Sequence, residues 1–299
     1  MNHKKVPDQP GPHYTKFANR RLSRREMLRL SAGSLLAMGL WPGACLEAAE
    51  QAGPGFSFIA VNDFHYIDQR CGKWLAESVL PRMQACSPKP EFCLVSGDLT
   101  DNGKQEQFAA VREILNGLGF PAYVVIGNHD YLPPKDRTPY EEIFPGRLNY
   151  FIEHRGWLLV GLDTTEATKA TNTKIPNTTF QWLDEQLPKL DKKRPMILFT
   201  HFPLGANVKN RPTNADALLE RFLEFNLQAA FCGHYHAFTE ATWQNAILTT
   251  DRCCSLQRFN HDKTKEKGFF FCNVKDGKIT REFVEVPVPE EFKNPKPNK

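Results

Sequence analysis

Five largely apolar runs in this chain of 299 residues each break off at a group of oxygen- and imidazole-bearing side chains, and no other feature limits the fold as strongly. The runs cover residues 56–61, 92–96, 123–126, 196–200 and 227–232. They are too short for ordinary helices and carry little polar alternation, the pattern of strands buried on both faces. They lead into Asp63-Phe64-His65, Gly97-Asp98, Gly127-Asn128-His129-Asp130, His201 and Gly233-His234-Tyr235-His236. Segments 73–86 and 104–118 lie between the first three runs and suit helices; Phe108, Val111, Leu115 and Leu118 recur at helical spacing. Strand, polar tip, helix and strand in repetition predict crossover connections and an α/β fold. Ligands of such sheets bind beyond the carboxyl ends of the strands, so function is expected at the tips.

The rest of the chain is less regular. Residues 131–145 are rich in proline and read as a surface loop, with Tyr131, Tyr140 and Phe144 either walling a pocket or pinning the loop. A hairpin is expected around Arg155-Gly156, joining 148–153 to 157–162. Thr178 or Thr179 is a candidate cap for a helix running to Leu187, and Thr213 or Asn214 for one over 215–225. Beyond Ala237 the pattern is mostly β, with a hairpin turn at Lys275-Asp276-Gly277-Lys278, and 290–299 read as a polar tail. No repeat or internal boundary divides residues 53–289, which are read as one domain.

A lone Asp or His at a strand end is usually a cap or a surface residue. Five such tips in order within one α/β unit point instead to shared chemistry. Asp63, His65, Asp98, Asn128, His201, His234 and His236 offer oxygen and imidazole donors without a thiolate, a set suited to Zn, Mn or Fe. Seven such ligands, with one carboxylate shared, complete two adjacent sites for divalent ions. Two ions about 3.5–4 Å apart stabilise both the attacking and the leaving oxygen of an in-line phosphoryl displacement.

The blocks Asp63-Phe64-His65, Gly97-Asp98-Leu99-Thr100-Asp101, Gly127-Asn128-His129-Asp130, His201 and Gly233-His234-Tyr235-His236 together resemble the five signature blocks of the calcineurin-like metallophosphoesterases. The resemblance implies two packed mixed β-sheets flanked by helices, a four-layer αββα sandwich. It further implies that Asp63, His65 and His236 hold one metal, that Asn128, His201 and His234 hold the other, and that Asp98 bridges them. His129 then faces the substrate phosphate, as does the amide of Asn128. His129 acts as the acid while a metal-bridging hydroxide attacks, and Asp130 orients its ring. Asp101 is expected to be a structural cap. The pattern is similar to the class III cyclic-nucleotide phosphodiesterase branch, although Thr200 and Phe202 stand where that branch is commonly richer in histidine. A phosphodiesterase is therefore expected, with a phosphomonoesterase or a non-catalytic metal-binding scaffold as the alternatives. Arg252, after the last block, is a candidate for a phosphate oxygen.

Charge separates the beginning of the chain from the rest. Residues 1–49 hold eight Lys and Arg against three Asp and Glu, a surplus of five that exceeds the whole-chain net charge of +4. The remainder is near neutral, so a nucleic-acid polymer is not an expected partner. The run RRLSRREMLR at residues 20–29, then a short apolar stretch and small residues, reads as an export leader over 1–52. Ser23-Arg24-Arg25-Glu26-Met27-Leu28 resembles a twin-arginine signal. The expected partners are thus the twin-arginine export machinery and a small phosphate ester, and the expected location is periplasmic or extracellular. The apolar stretch is too short to anchor stably in a bilayer. Of eight cysteines, Cys93 and Cys232 fall in strand runs and read as core, and the neighbours Cys253 and Cys254 read as half-buried.

Overall fold

In the computed structural model, residues 55–293 are described. The expected leader over 1–52 lies outside them, as do the last residues of the expected tail. Eleven strands among the described residues form two sheets. The first runs β11-β10-β1-β2-β3, the second β4-β5-β6-β7-β9-β8. β1 (Phe56–Val61), β2 (Cys93–Val95) and β3 (Ala122–Val124) are parallel, and the hairpin of β10 (Gly268–Lys275) and β11 (Lys278–Glu285) is added antiparallel to β1. In the second sheet β5 (Trp157–Leu162), β6 (Met196–Thr200), β7 (Leu227–Cys232) and β9 (Ala246–Thr250) are parallel. β4 (Tyr150–His154) and β8 (Thr239–Trp243) close its edges antiparallel. Both sheets are mixed, as expected.

The apolar runs are continuous because both faces of each central strand are buried. Phe58 and Ala60 of β1 face Ile197 and Phe199 of β6 across the sheet interface, in a core completed by Phe92, Trp157, Phe231 and Phe270. Ile59 and Val61 point the other way, onto Trp74, Phe108 and Val111 of the helical layer. Leu158, Val160, Met196 and Leu198 likewise cover the outer face of the second sheet beneath Leu183, Leu218 and Phe222. Helix, sheet, sheet, helix is therefore the layer order.

The helices differ from expectation in five places. The first begins at Gln69, because the Asp68 carboxylate caps the N–H groups of Arg70 and Cys71. It runs as α1 (Gln69–Trp74), one π-helical stretch (Leu75–Val79) and α2 (Leu80–Gln84). After α3 (Gln105–Asn116), the proline-rich segment is not wholly irregular: α4 (Thr138–Ile143) takes Pro139 in its first turn, where a missing N–H costs nothing, and buries Tyr140 completely. α5 (Asn177–Gln186) starts after Pro176 without a side-chain cap, since the Thr179 hydroxyl is buried and donates to the Asp163 carbonyl. α6 (Ala215–Glu220) is shorter than expected. The tail is also ordered further than expected: α7 (Glu290–Lys293) places Phe292 against Trp74. Both hairpin turns form as read, with Arg155, Gly156, Asp276 and Gly277 at positive φ. Among the described residues all seven cysteines are free, and Cys253 and Cys254 are both fully buried rather than half-exposed. No helix among the described residues is long and apolar enough to cross a membrane.

Candidate metal centre

Beyond the carboxyl ends of β1, β2, β3, β6 and β7 the seven expected ligands converge. The backbone there is strained: Asp63, His65, Asp98 and His234 all lie in the left-handed region, at φ of 46–64°. Non-glycine residues rarely adopt it, and such conformations collect where surrounding structure enforces a functional geometry. Gly127 has an ordinary φ of −109°, so backbone conformation is not what requires glycine. Close approach does: a Cβ at Gly127 would lie 2.1 Å from Asp98 Oδ1 and 2.2 Å from the Asp98 nitrogen.

Two groups of donors result. In the first, His236 Nε2 lies 3.1 Å from Asp63 Oδ1 and 3.4 Å from His65 Nε2. In the second, Asn128 Oδ1 lies 3.1 Å from His201 Nε2 and 3.0 Å from His234 Nδ1. Asp98 stands between them, with Oδ2 3.5 Å from His65 Nε2 and Oδ1 3.4 Å from His201 Nε2.

The outward-facing nitrogens test whether a cation fits. His65 Nδ1 is 3.0 Å from Asp101 Oδ1, His201 Nδ1 2.9 Å from the Ser96 carbonyl, His234 Nε2 2.9 Å from the Ala170 carbonyl and His236 Nδ1 3.2 Å from the Phe259 carbonyl. Each acceptor demands a donated N–H, so a ring that is otherwise unprotonated turns the lone pair of its inner nitrogen into the site. Lone pairs of separate imidazoles facing one another, with carboxylate oxygens among them, suit a bound cation, and ligating histidines are oriented in this way. Asp63 is prepared similarly, since Oδ2 is taken by Asn62 and by the His234 N–H while Oδ1 faces inward.

Charge in the protein alone follows from burial and from these partners. Burial opposes ionisation of Asp63, but His236, with His201 and His65, holds its carboxyl well below the usual range. Asp98 is likewise lowered against its burial by His201 and His65. Burial and the neighbouring His201 push His234 down to about 3, keeping it neutral and ready to ligate. His236 is raised to about 11: burial would lower it, but Asp63 overrides that and keeps a proton on the ring. A metal ion must displace this proton to bind.

His129 projects into the cleft, about one-third exposed, with its backbone N–H on Asp98 Oδ1 at 2.8 Å. Its Nδ1 is 3.2 Å from the Asp101 carbonyl and 3.6 Å from Asp101 Oδ1. Asp130 does not orient this ring. Its buried carboxylate turns back to accept the N–H groups of Gly127, Leu99 and Thr100 at 2.9, 3.1 and 2.8 Å, tying the β3 tip to the β2 tip. Burial, together with Asp98, pushes its carboxyl up to about 7 despite these donors. The His129 ring is held instead by the backbone carbonyl of Asp101, whose side chain, read from the sequence as a structural cap, bonds His65 Nδ1. The Asp101 carboxylate also receives the Arg258 guanidinium, and despite burial His65 and Arg258 hold it well below the usual range.

The cleft has a volume of about 560 Å³ and is lined by His65, Asp98, His129, His234, His236 and Arg258, among others. Arg252 is not one of its lining residues: its Nε donates to Thr264 Oγ1 and its guanidinium covers the Phe283 ring at 5.0 Å. Tyr131, Tyr140 and Phe144 do not line it either; Tyr131 bonds Thr165, and the other two pack against Phe108. Asp101 has a sequence signal in its fixed spacing after Asp98, whereas Arg258 lies in an irregular segment with none.

Comparison with known proteins agrees with this geometry. Residues 56–238 match the model of the family described as calcineurin-like phosphoesterase. The glycerophosphodiester phosphodiesterase GpdQ of Enterobacter lignolyticus (strain SCF1) is 29% identical over 62% of this chain and 69% of its own length. A probable cyclic nucleotide phosphodiesterase of Synechococcus sp. is 29% identical over 58% of this chain and 68% of its own. In fold, the solved structure of TT1561 of Thermus thermophilus superimposes with a TM-score of 0.52 at 14% identity, covering 77% of this chain and 99% of that one. With the sandwich, the clustered strand-tip donors and a match over more than half of the chain, the protein belongs to the calcineurin-like phosphoesterases, a family of metal-dependent phosphoric ester hydrolases.

Proposed function

We propose that this protein is a phosphodiesterase whose centre holds two divalent ions, Mn, Fe or Zn. The observation that carries the reading is Asp98, which presents one oxygen to His65 and the other to His201 at 3.5 and 3.4 Å, so that one carboxylate serves both donor groups. Asp63, His65 and His236 would hold one ion; Asn128, His201 and His234 would hold the other. Bound there, the ions would supply Lewis acidity toward phosphoryl oxygens and water. Only Asp63 and Asp98 among the seven donors are carboxylates, so two divalent ions leave the centre positive toward an anionic ester. The chain's own residues bind and orient the ester. His129, with Nδ1 turned to the Asp101 carbonyl, presents Nε2 to the cleft and is placed to protonate the leaving oxygen. Asp98 fixes the His129 backbone by accepting its N–H, and Asp101 fixes His65.

The two phosphodiesterase relatives favour a diester. The test is hydrolysis of bis-p-nitrophenyl phosphate against p-nitrophenyl phosphate by protein stripped of metal and reloaded with Mn, Zn or Fe. Metal-dependent preference for the diester supports the reading; preference for the monoester makes the protein a phosphatase, and two bound ions without turnover make it a scaffold. We further propose that residues 1–52 direct twin-arginine export to the periplasm or beyond. This rests on the basic run at 20–29 and is tested by fractionation and by sequencing the mature N-terminus.

A further inference from the structure

We infer that Arg258 is the residue that binds a non-bridging phosphate oxygen of the ester, and that the buried Lys267 positions it; this rests on the phosphoesterase reading above. Arg258 is the one Lys or Arg among the described residues lining the cleft, which it shares with His129 and the ligands His65 and His236. Its guanidinium is fixed rather than free. Nε and Nη2 both donate to Asp101 Oδ1, the former at 3.0 Å, and Nη2 lies 3.5 Å from His129 Nδ1. Nη1 has no hydrogen-bond partner among the described residues, and the side chain is 39% exposed. One edge of a planar cation is thus locked beside the acid, and a second edge is left to a ligand in the cleft.

The backbone that carries it is held equally firmly. The N–H groups of Gln257 and Arg258 donate to Ser255 Oγ at 3.2 and 3.1 Å. The Arg258 carbonyl receives Lys267 Nζ, which also lies 3.0 Å from Cys253 Sγ. Lys267 is only 7% exposed, an unusual place for an ammonium group unless its donors are in use. The next carbonyl, that of Phe259, holds the ligand His236. Arg258 is therefore in register with the metal centre through its neighbour and with His129 through Asp101. A guanidinium fork, always charged, matches phosphate oxygens in a way a lysine cannot.

The experiment uses the full chain, metal-loaded, as parent, Arg258→Ala, Arg258→Lys and Lys267→Met. Inorganic phosphate is titrated calorimetrically, metal content is measured, and KM and kcat are taken on bis-p-nitrophenyl phosphate. In Arg258→Ala the phosphate Kd should rise about 10- to 100-fold, as for loss of a charge-assisted hydrogen bond, with KM following and metal content unchanged. Arg258→Lys should recover part of the loss, and Lys267→Met should weaken phosphate less than Arg258→Ala. An unchanged phosphate Kd in Arg258→Ala overturns the inference. So does a loss of metal in proportion to the loss of phosphate, which would mean that Arg258 acts through Asp101 and His65. If the parent cleaves neither ester yet binds phosphate through Arg258, the inference stands and the phosphodiesterase reading falls.

Discussion

Asp101 and Asp130 are one turn and one strand tip apart in role, and alanine at each position should damage the protein in opposite ways. Asp130→Ala removes the acceptor for the N–H groups of Leu99, Thr100 and Gly127 and for the Thr100 hydroxyl, all buried. A stranded buried donor costs about 1–3 kcal/mol. The four share one pair of loops and relax together, so their losses do not add; about 3–5 kcal/mol is the expected total for several buried donors left without their shared acceptor. In a domain of this size that lowers Tm by roughly 6–20 °C. Asp101→Ala instead frees His65 Nδ1–H and the Arg258 guanidinium at the cleft wall, where water replaces the carboxylate. Its Tm should fall by less than about 5 °C. Metal affinity or turnover should fall about 10- to 100-fold, as when a partner of a ligating histidine is removed.

Thermal melts of metal-free protein report the first effect, and metal titration with steady-state kinetics the second. An Asp130→Ala protein that melts with the parent, or an Asp101→Ala protein with unaltered metal affinity and turnover, would refute this division.

His129→Ala should lose roughly two to four decades of kcat, the range for general acid catalysis, while metal analysis shows full content; loss of metal would make His129 a ligand instead. Gly127→Ala drives a methyl group into the Asp98 backbone and carboxylate, 2.1–2.2 Å away. It should cost about 1–3 kcal/mol or more and empty the centre in the same metal analysis. Chelation should abolish turnover and lower Tm, by about 2.7 kcal/mol of stability if the metal had been present at about 100 times its Kd, and Mn, Zn or Fe should restore both. Phe292→Ala uncovers Trp74 and should cost about 2–4 kcal/mol in denaturant unfolding, although it lies in what reads as a polar tail.

The parts of the fold that show in the sequence are those dictated by local periodicity. β1, β5, β6 and β7 occupy the residues read as strands because their apolar runs are uninterrupted and turn signals bound them. What escaped is tertiary in origin. Thr179 looks like a cap but spends its hydroxyl on the Asp163 carbonyl of another segment. Pro139 looks like a helix breaker, yet it sits in the first turn of α4, where Tyr140 can reach Phe108. Cys253 and Cys254 give no alternation to read, since the segment carrying them is neither helix nor strand, yet both are enclosed where it returns beneath the cleft.

The site divides along the same line. A candidate ligand one or two residues past an apolar run is placed by its own strand, so spacing alone brings Asp63, Asp98, Asn128, His201 and His234 to one edge of the sheets. The residues that tune those ligands arrive from elsewhere. Sequence adjacency pairs Asp130 with His129, but the short 3-10 turn over Asn128–Asp130 points the carboxylate back to Gly127, three residues earlier, and away from the ring. The backbone carbonyl of Asp101, on a neighbouring tip, holds the ring instead. Arg252 and Arg258 stand six positions apart in one irregular segment, chemically equivalent on paper. Only the Ser255 turn below and the Lys267 bond behind decide which of them faces the metal centre. A variant with Arg252 removed should therefore keep its affinity for phosphate, measured by the same titration in which Arg258→Ala loses it.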